Sequence, residues 1–255
     1  MNLVAYPTIT DADLREQRRK RGSVAVGIPM ETWVGRSAFW RFANVFTQLR
    51  PNDRLLPIER QAVPGVIRNA IIRAFLDLPE RFTHLFLFDS DMTIEHANIV
   101  DVFTLYDLPF VAGYCTRKTY PYLPVPAVHR GAKNFHGEQV HEYQPITNWE
   151  PKSGLRECDA TGAAVLCLRR DLLAAIEPPW FAHEGGGEDY YFCRKVKAVT
   201  TLPDYPEGVP IMVDTYIKIG HVGESVAYPD TFFAVKEEYQ RASGEREIEL
   251  VSEAT

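Results

Sequence analysis

The chain has 255 residues, 45% of them hydrophobic and 24% charged. That is room for one or two domains at about 150 residues each, and an ordinary globular composition that excludes whole-chain disorder or a low-complexity scaffold. Lysine plus arginine number 28 against 34 aspartates plus glutamates, a net charge of −6; such a surface is not built for non-specific duplex binding, although a local basic patch stays open.

Residues 1–22 read as a polar lead-in whose basic run, Arg15, Arg18, Arg19, Lys20 and Arg21, is either a solvated helix end or a contact for phosphate. Ser23–Ile28 is a short β-branched run, a buried strand ending at Pro29. Phe39, Phe42, Ala43, Phe46 and Leu49 have helical spacing within 33–49, and Pro51 stops that helix. Arg54–Ile58 is a second strand. Pro64 suits the first turn of a helix, which Val66, Ile67, Ala70, Ile71, Ala74 and Phe75 continue toward Pro79. Thr83–Phe88 is a dense apolar strand, followed by a helix over 95–106 and a fourth strand over 109–113. Strand–helix–strand order of this kind specifies a parallel sheet with crossover helices. Residues 114–160 are rich in prolines and aromatics and predict antiparallel structure and loops. A strand at 163–168, helices at 169–176 and 188–198, and strands at 211–213 and 216–220 follow. The acidic end, 241–255, has little to pack and predicts a mobile tail.

The four cysteines, Cys115, Cys158, Cys167 and Cys193, include no C-x-x-C pair. This argues against a zinc ribbon or a disulfide scaffold and for buried thiols in a reducing compartment. The N-terminus lacks a basic segment followed by an apolar core, and no apolar run approaches the roughly 18 residues of a membrane span. The expectation is a cytoplasmic protein with no membrane span.

Asp89-Ser90-Asp91 is the sharpest chemical feature. It follows four apolar residues, Leu85–Phe88, and ligands of open α/β sheets bind at the carboxyl ends of strands. Two carboxylates at i and i+2 suit a hard divalent cation that also takes diphosphate oxygens; the plainer alternative is a turn capping the next helix. Glu188-Asp189 opens a helix after Gly185-Gly186-Gly187. The helix dipole favours carboxylates there, yet three glycines are costly unless the backbone bends tightly or approaches a ligand, and a carboxylate so held can deprotonate a hydroxyl. His221 follows a strand and is an acceptable third ligand for Mn²⁺ beside carboxylates. Trp180 and Phe181 are either core or a stacking surface for sugars. Arg117 and Lys118 stand where they can meet phosphate or acceptor.

The stretches VAVGIPMETW (24–33), RNAIIRAFL (68–76), HLFLFDSDMTI (84–94), PFVAGYCTRKTYP (109–121), CDATGAAVLCLRRDLL (158–173), GGGEDYYFCRKVK (185–197) and VDTYIKIGHVG (213–223), taken in this order, resemble the GT-A nucleotide-sugar glycosyltransferases, close to the family 2-like members of bacteria and their viruses. The resemblance implies one GT-A domain over 23–240, with a Rossmann-like nucleotide-binding half at 23–113 whose central sheet is mostly parallel, and a mixed or antiparallel acceptor half at 114–240. It implies Mn²⁺ or Mg²⁺ on Asp89, Asp91 and His221, and a nucleoside-diphosphate sugar as donor. Pro29 and Glu31 would lie at the nucleoside, Arg68 and Asp89 near the nucleotide, and Thr161 and Gly162 beside the donor sugar. Asp189 would be the general base of an inverting transfer, with Glu188 near the acceptor. The link from Lys197 to Asp214, with Pro203, Pro206 and Pro210, is longer than usual for the family.

Two other readings compete. A nucleotidyltransferase would also use carboxylates and a divalent ion, but Gly27–Thr32 lacks the glycine-rich basic phosphate loop such enzymes carry. A non-catalytic sugar or nucleotide-binding module needs none of the reactive carboxylates. The acceptor is a glycan, a small molecule or a macromolecule; a modified DNA base of a phage is conceivable through Arg15–Arg21 but disfavoured by the net charge.

Overall fold

The computed structural model describes residues 9–30, 45–59, 63–94, 96, 98–185, 187–217, 219–222 and 226–243. Most of the helix expected at 33–49, together with Glu31 and the tail from 244, lies outside them.

Helix α1 (Asp11–Lys20) starts with a capping box between Thr10 and Asp13 and buries Leu14. Strands β1 (Ser23–Met30) and β2 (Arg54–Glu59), helix α2 (Pro64–Leu76) and strand β3 (Phe82–Phe88) form the first half. A three-residue strand β4 (Met92–Ile94), helix α3 (Ile99–Leu105) and β5 (Phe110–Gly113) follow. The second half holds the hairpin β6 (Ala127–Phe135) and β7 (Glu138–Pro145), then β8 (Leu155–Cys158) and β9 (Val165–Arg169). Next come α4 (Arg170–Ala175), α5 (Glu188–Lys197), β10 (Ile211–Asp214), β11 (Ile219–Val222), β12 (Val226–Ala227) and α6 (Pro229–Ser243).

The central sheet has the order β2-β1-β3-β9-β5-β10-β8. The pairs β1/β2, β1/β3 and β5/β10 are parallel. β9 runs antiparallel to both β3 and β5, and β8 antiparallel to β10. Five of the seven strands therefore point one way, as expected for a mostly parallel sheet, with the antiparallel members all from the second half of the chain.

Both faces are covered, which explains why the strands read as continuous apolar runs rather than alternating ones. Leu85, Leu87, Leu166 and Leu168 pack with Ile67, Ile71, Phe75 and Phe192 on one face. Val24, Val26, Phe86, Phe88 and Cys167 pack with Phe103 and Val45 on the other. A side chain at Gly27 would put its Cβ 2.3 Å from Ile71 Cγ2, so glycine is what lets α2 seat against β1.

Four of the five basic residues of the lead-in, Arg18 to Arg21, are paired within the protein. The Arg21 guanidinium is buried and bonds Asp53 and Asp101, each at 2.9 Å. Arg18 approaches Asp101, and Arg19 and Lys20 pair with Glu16. Arg21 is thus a structural anchor of α1 rather than a phosphate contact. All four cysteines are buried free thiols, in line with the sequence. Among the described residues no helix is long and apolar enough to cross a membrane.

The last strand before His221 is displaced from its expected place. The Asp214 carboxylate accepts hydrogen bonds from the backbone N–H groups of Tyr216 (2.6 Å) and Ile217 (3.2 Å), a local turn that delays the strand to Ile219. His221 stands near the end of β11, one residue before its last.

Candidate active site

The site forms at the carboxyl end of β3, the end where open α/β sheets hold ligands. The Asp89 N–H donates to the Ala164 carbonyl at 2.8 Å and the Met92 N–H to the Asp89 carbonyl at 3.1 Å, so Asp89-Ser90-Asp91 is a tight turn between β3 and β4. The short β4 pairs antiparallel with β11 in a register that sets His221 opposite Met92. That register brings His221 Nε2 to 3.2 Å from Asp91 Oδ2 across 130 positions of sequence. His221 Nδ1 lies 2.9 Å from the Thr116 carbonyl. The carbonyl and the carboxylate only accept, so Nδ1 donates to Thr116, and Nε2 donates to Asp91 when the ring carries its second proton. Lys118 Nζ reaches the same Asp91 oxygen at 2.9 Å.

The second cluster is gathered by Arg68, whose side chain is 5% exposed. From α2 its Nη2 donates to both oxygens of Asp89, at 3.0 and 2.7 Å. Its Nη1 donates to Asp189 Oδ1 at 2.9 Å and to Glu188 Oε1 at 3.4 Å. The Phe181 ring backs the guanidinium at 5.5 Å. One buried cation therefore ties the carboxylate after β3 to the pair that opens α5. The clefted space between, about 400 Å³, is lined by Pro29, Pro64, Arg68, Asp89, Asp91 and Lys118 among others.

Pro29, Arg68, Asp89, Asp91, Asp189, Glu188 and His221 thus converge as the sequence anticipates, although Asp89 faces Arg68 rather than the Asp91–His221 pair. Gly162 borders Asp189, while the backbone of Thr161 is bonded to Cys193 Sγ. The Asp189 carboxylate accepts a hydrogen bond from the Ala163 backbone, and a Cβ on Gly162 would lie 2.8 Å from Val125 and 3.5 Å from Asp189 Oδ2. Glu31 lies outside the described residues. Trp180 and Phe181 are core: the Trp180 indole donates to the Leu173 carbonyl at 2.9 Å, and Phe181 stacks on Phe192 with centroids 4.5 Å apart. The glycine loop also has its reason. Gly185 and Gly187 take φ of +60° and +105°, and a Cβ on Gly185 would strike the Gln139 carbonyl at 2.7 Å. The loop bends tightly to receive the β6–β7 hairpin, whose His141 N–H bonds the Gly185 carbonyl.

Electrostatics separate the three aspartates. Burial pushes Asp89 up to about 6, against Arg68 and with help from the charges of Asp189 and Asp91. Asp189 is also raised by burial, with Arg68 opposing and Glu188 adding. Asp91 moves the other way: burial is outweighed by its bonds to His221 and Lys118, which hold it well below the usual range. His221 is raised, because Asp91 and the Thr116 carbonyl outweigh burial.

Among the described residues no group of three or more His, Cys, Asp or Glu side chains is gathered as a metal cage. The Asp91–His221 pair nevertheless fits a divalent cation in its chemistry. It offers one carboxylate oxygen and one ring nitrogen, and the imidazole is oriented through its other nitrogen by a backbone carbonyl, as metal-bound histidines are. Lys118 stands at the cleft where the sequence places a phosphate contact, but its bond to Asp91 and the Asp91–His221 contact do not follow from spacing. A larger groove of about 720 Å³ lies at the opposite, amino end of β1 and β3, beside Lys20, Arg21, His84 and Arg169.

Searches of known proteins agree with the fold and go no further. No family model matches the chain, and no curated protein matches it. Among solved structures, A197 from STIV superposes with a TM-score of 0.55 and 18% identity, covering 82% of this chain and 91% of that one. The fold is of the GT-A type. HddC from Yersinia pseudotuberculosis aligns at a TM-score of 0.30 and 12% identity over 93% of this chain and 88% of that one, too loosely to bear on the architecture.

Proposed function

We propose that the protein is a metal-dependent glycosyltransferase that moves a sugar from a nucleoside-diphosphate donor to an acceptor hydroxyl, with inversion. The observation that carries this reading is the assembly at the carboxyl end of β3. There Asp91, paired with His221, lines the same cleft as Arg68, which in turn holds Asp189. Four carboxylates face two cations, Arg68 and Lys118, so a diphosphate enters only with added positive charge. Asp91 and His221 would hold a divalent ion, Mn²⁺ or Mg²⁺, with Asp89 behind them. Such an ion, when bound, neutralises charge developing on the departing nucleoside diphosphate.

The chain's own residues do the rest. Arg68 fixes Asp189 through Oδ1 and leaves Oδ2 on the Gly162 side. Asp189 takes the acceptor hydroxyl proton as the acceptor oxygen bonds to the anomeric carbon and the bond from that carbon to phosphate breaks. General base assistance of this kind is worth about 10²–10⁴-fold. Glu188, held by Arg68 and His183, borders the acceptor side. Pro29, Arg68, Thr161 and Gly162 shape the donor side. The acceptor is a glycan, a small molecule or a macromolecule. A DNA acceptor is not favoured, since Arg18, Arg19, Lys20 and Arg21 already have acidic partners within the chain.

The test is product analysis with a panel of nucleotide sugars, Mn²⁺ and varied acceptors. Released nucleoside diphosphate supports the reading. Released pyrophosphate moves the protein to nucleotidyl chemistry, and donor binding without turnover makes it a binding module.

A further inference from the structure

Resting on that reading, we propose that Lys118 is a displaceable internal counter-cation. Without donor its ammonium neutralises the Asp91 oxygen that a divalent ion takes on loading, and on loading it turns to the donor diphosphate.

Three observations carry this. First, Lys118 Nζ (2.9 Å) and His221 Nε2 (3.2 Å) bond the same oxygen, Asp91 Oδ2. A divalent ion held by Asp91 and His221 would lie next to the ammonium on that oxygen and repel it, so the lysine and the ion compete for Asp91. Second, the two partners differ in how firmly they are held. The His221 ring is 19% exposed and anchored through Nδ1 to the Thr116 carbonyl, whereas the Lys118 side chain is 49% exposed. An exposed ion pair is weak and costs little to open, so the lysine yields and the histidine stays. Third, the displaced ammonium cannot go far. Lys118 lines the cleft and sits in a loop closed by a bridge between Thr116 and Pro124 and by the Arg117 N–H on the Leu123 carbonyl. The far side of this loop is tied to α6, where the Tyr120 hydroxyl bonds Glu238. Among the described residues lining the cleft, the other cation is Arg68, which is buried and committed to three carboxylates. Lys118 alone of these two can change partners.

Two opposite effects follow from one substitution. Calorimetric titration of Mn²⁺ into the full-length protein should give about two- to five-fold tighter binding for Lys118→Met, the size of a surface ion pair removed as a competitor. With inorganic pyrophosphate as the anion probe, its binding in the presence of saturating Mn²⁺ should weaken by a similar factor in the same variant. Lys118→Arg, which keeps the charge, should restore pyrophosphate binding. A merely structural role would move both affinities in one direction. Mn²⁺ binding that is lost in His221→Ala but unchanged or weaker in Lys118→Met overturns the inference and leaves the proposed function standing. Absence of Mn²⁺ binding in wild type and every variant overturns both.

Discussion

Replacing Arg68 with methionine removes the charge at the centre of the site while nearly preserving volume. The guanidinium is 5% exposed and its partners Asp89, Glu188 and Asp189 are 23%, 17% and 30% exposed. Without it three carboxylates face one another across a space that had held a cation. Breaking a buried ion pair by removing one partner costs about 3–5 kcal/mol. The partial exposure of the acids puts the value at the lower end, about 3 kcal/mol, and loss of the Phe181 contact adds about 0.5–1 kcal/mol. At about 2–4 °C per kcal/mol for a chain of this length, melting should fall by roughly 7–16 °C. The pH dependence gives a sharper check. Unpaired carboxylates here have folded-state pKa values above their unfolded ones, as Asp89 already does at about 6 against an ordinary 3.8. The folded state then binds more protons, so the penalty is full at high pH and fades as pH falls through the raised value. Urea unfolding at pH 8 and pH 5 should show a large loss at the first and a smaller one at the second. A loss below about 1 kcal/mol, equal at both pH values, would refute the central role assigned to Arg68.

Asp189→Asn should keep donor affinity and lose about 10²–10⁴-fold in transfer; titration of donor beside a turnover assay separates the two. Because Asp189 is raised above its ordinary value of 3.8 by burial, the acid limb of kcat/KM should lie above pH 4, and a limb at the ordinary value would contradict the burial of this group. The Asp91–His221 contact should stabilise the metal-free protein by about 1 kcal/mol or less. Its Asp91 part is present above about pH 4 and lost as pH falls, and its His221 part is present below about pH 6.5 and lost as pH rises through the raised value; His221→Gln unfolding compared at pH 5.5 and 8.5 should therefore show the larger loss at 5.5. Arg21→Met should destabilise by about 3–5 kcal/mol without touching turnover, since Arg21 serves Asp53 and Asp101 far from the cleft.

What the residues disclosed depended on the range of the interaction. The strands around Leu85–Phe88 and Leu166–Leu168 are legible because both faces are buried and every position is apolar. Apolarity does not encode direction, however, so the insertion of an antiparallel β9 between β3 and β5 was not visible. Asp89-Ser90-Asp91 stands out because carboxylates abruptly follow a buried run. The Asp91–His221 contact depends on β4, a strand of three residues and too short to show a period. Arg68 could be singled out only through the resemblance; that it holds Asp89, Glu188 and Asp189 together is a tertiary fact. Helix α6 was overlooked although Pro229 and the spacing of Phe232 and Tyr239, whose rings lie 6.2 Å apart, were an available signal.

The central claim is that a divalent ion on Asp91 and His221 carries the diphosphate of a nucleotide into this cleft. It is tested most directly by thermal melting with a panel of nucleoside diphosphates, with and without Mn²⁺, in wild type and His221→Ala. At a ligand concentration of about 100 times Kd the gain is about 2.7 kcal/mol, or roughly 5–10 °C. The account predicts that at least one nucleotide gives such a rise with Mn²⁺, little without it, and little in His221→Ala. No rise with any nucleotide, or an equal rise without Mn²⁺ and in the variant, would contradict it.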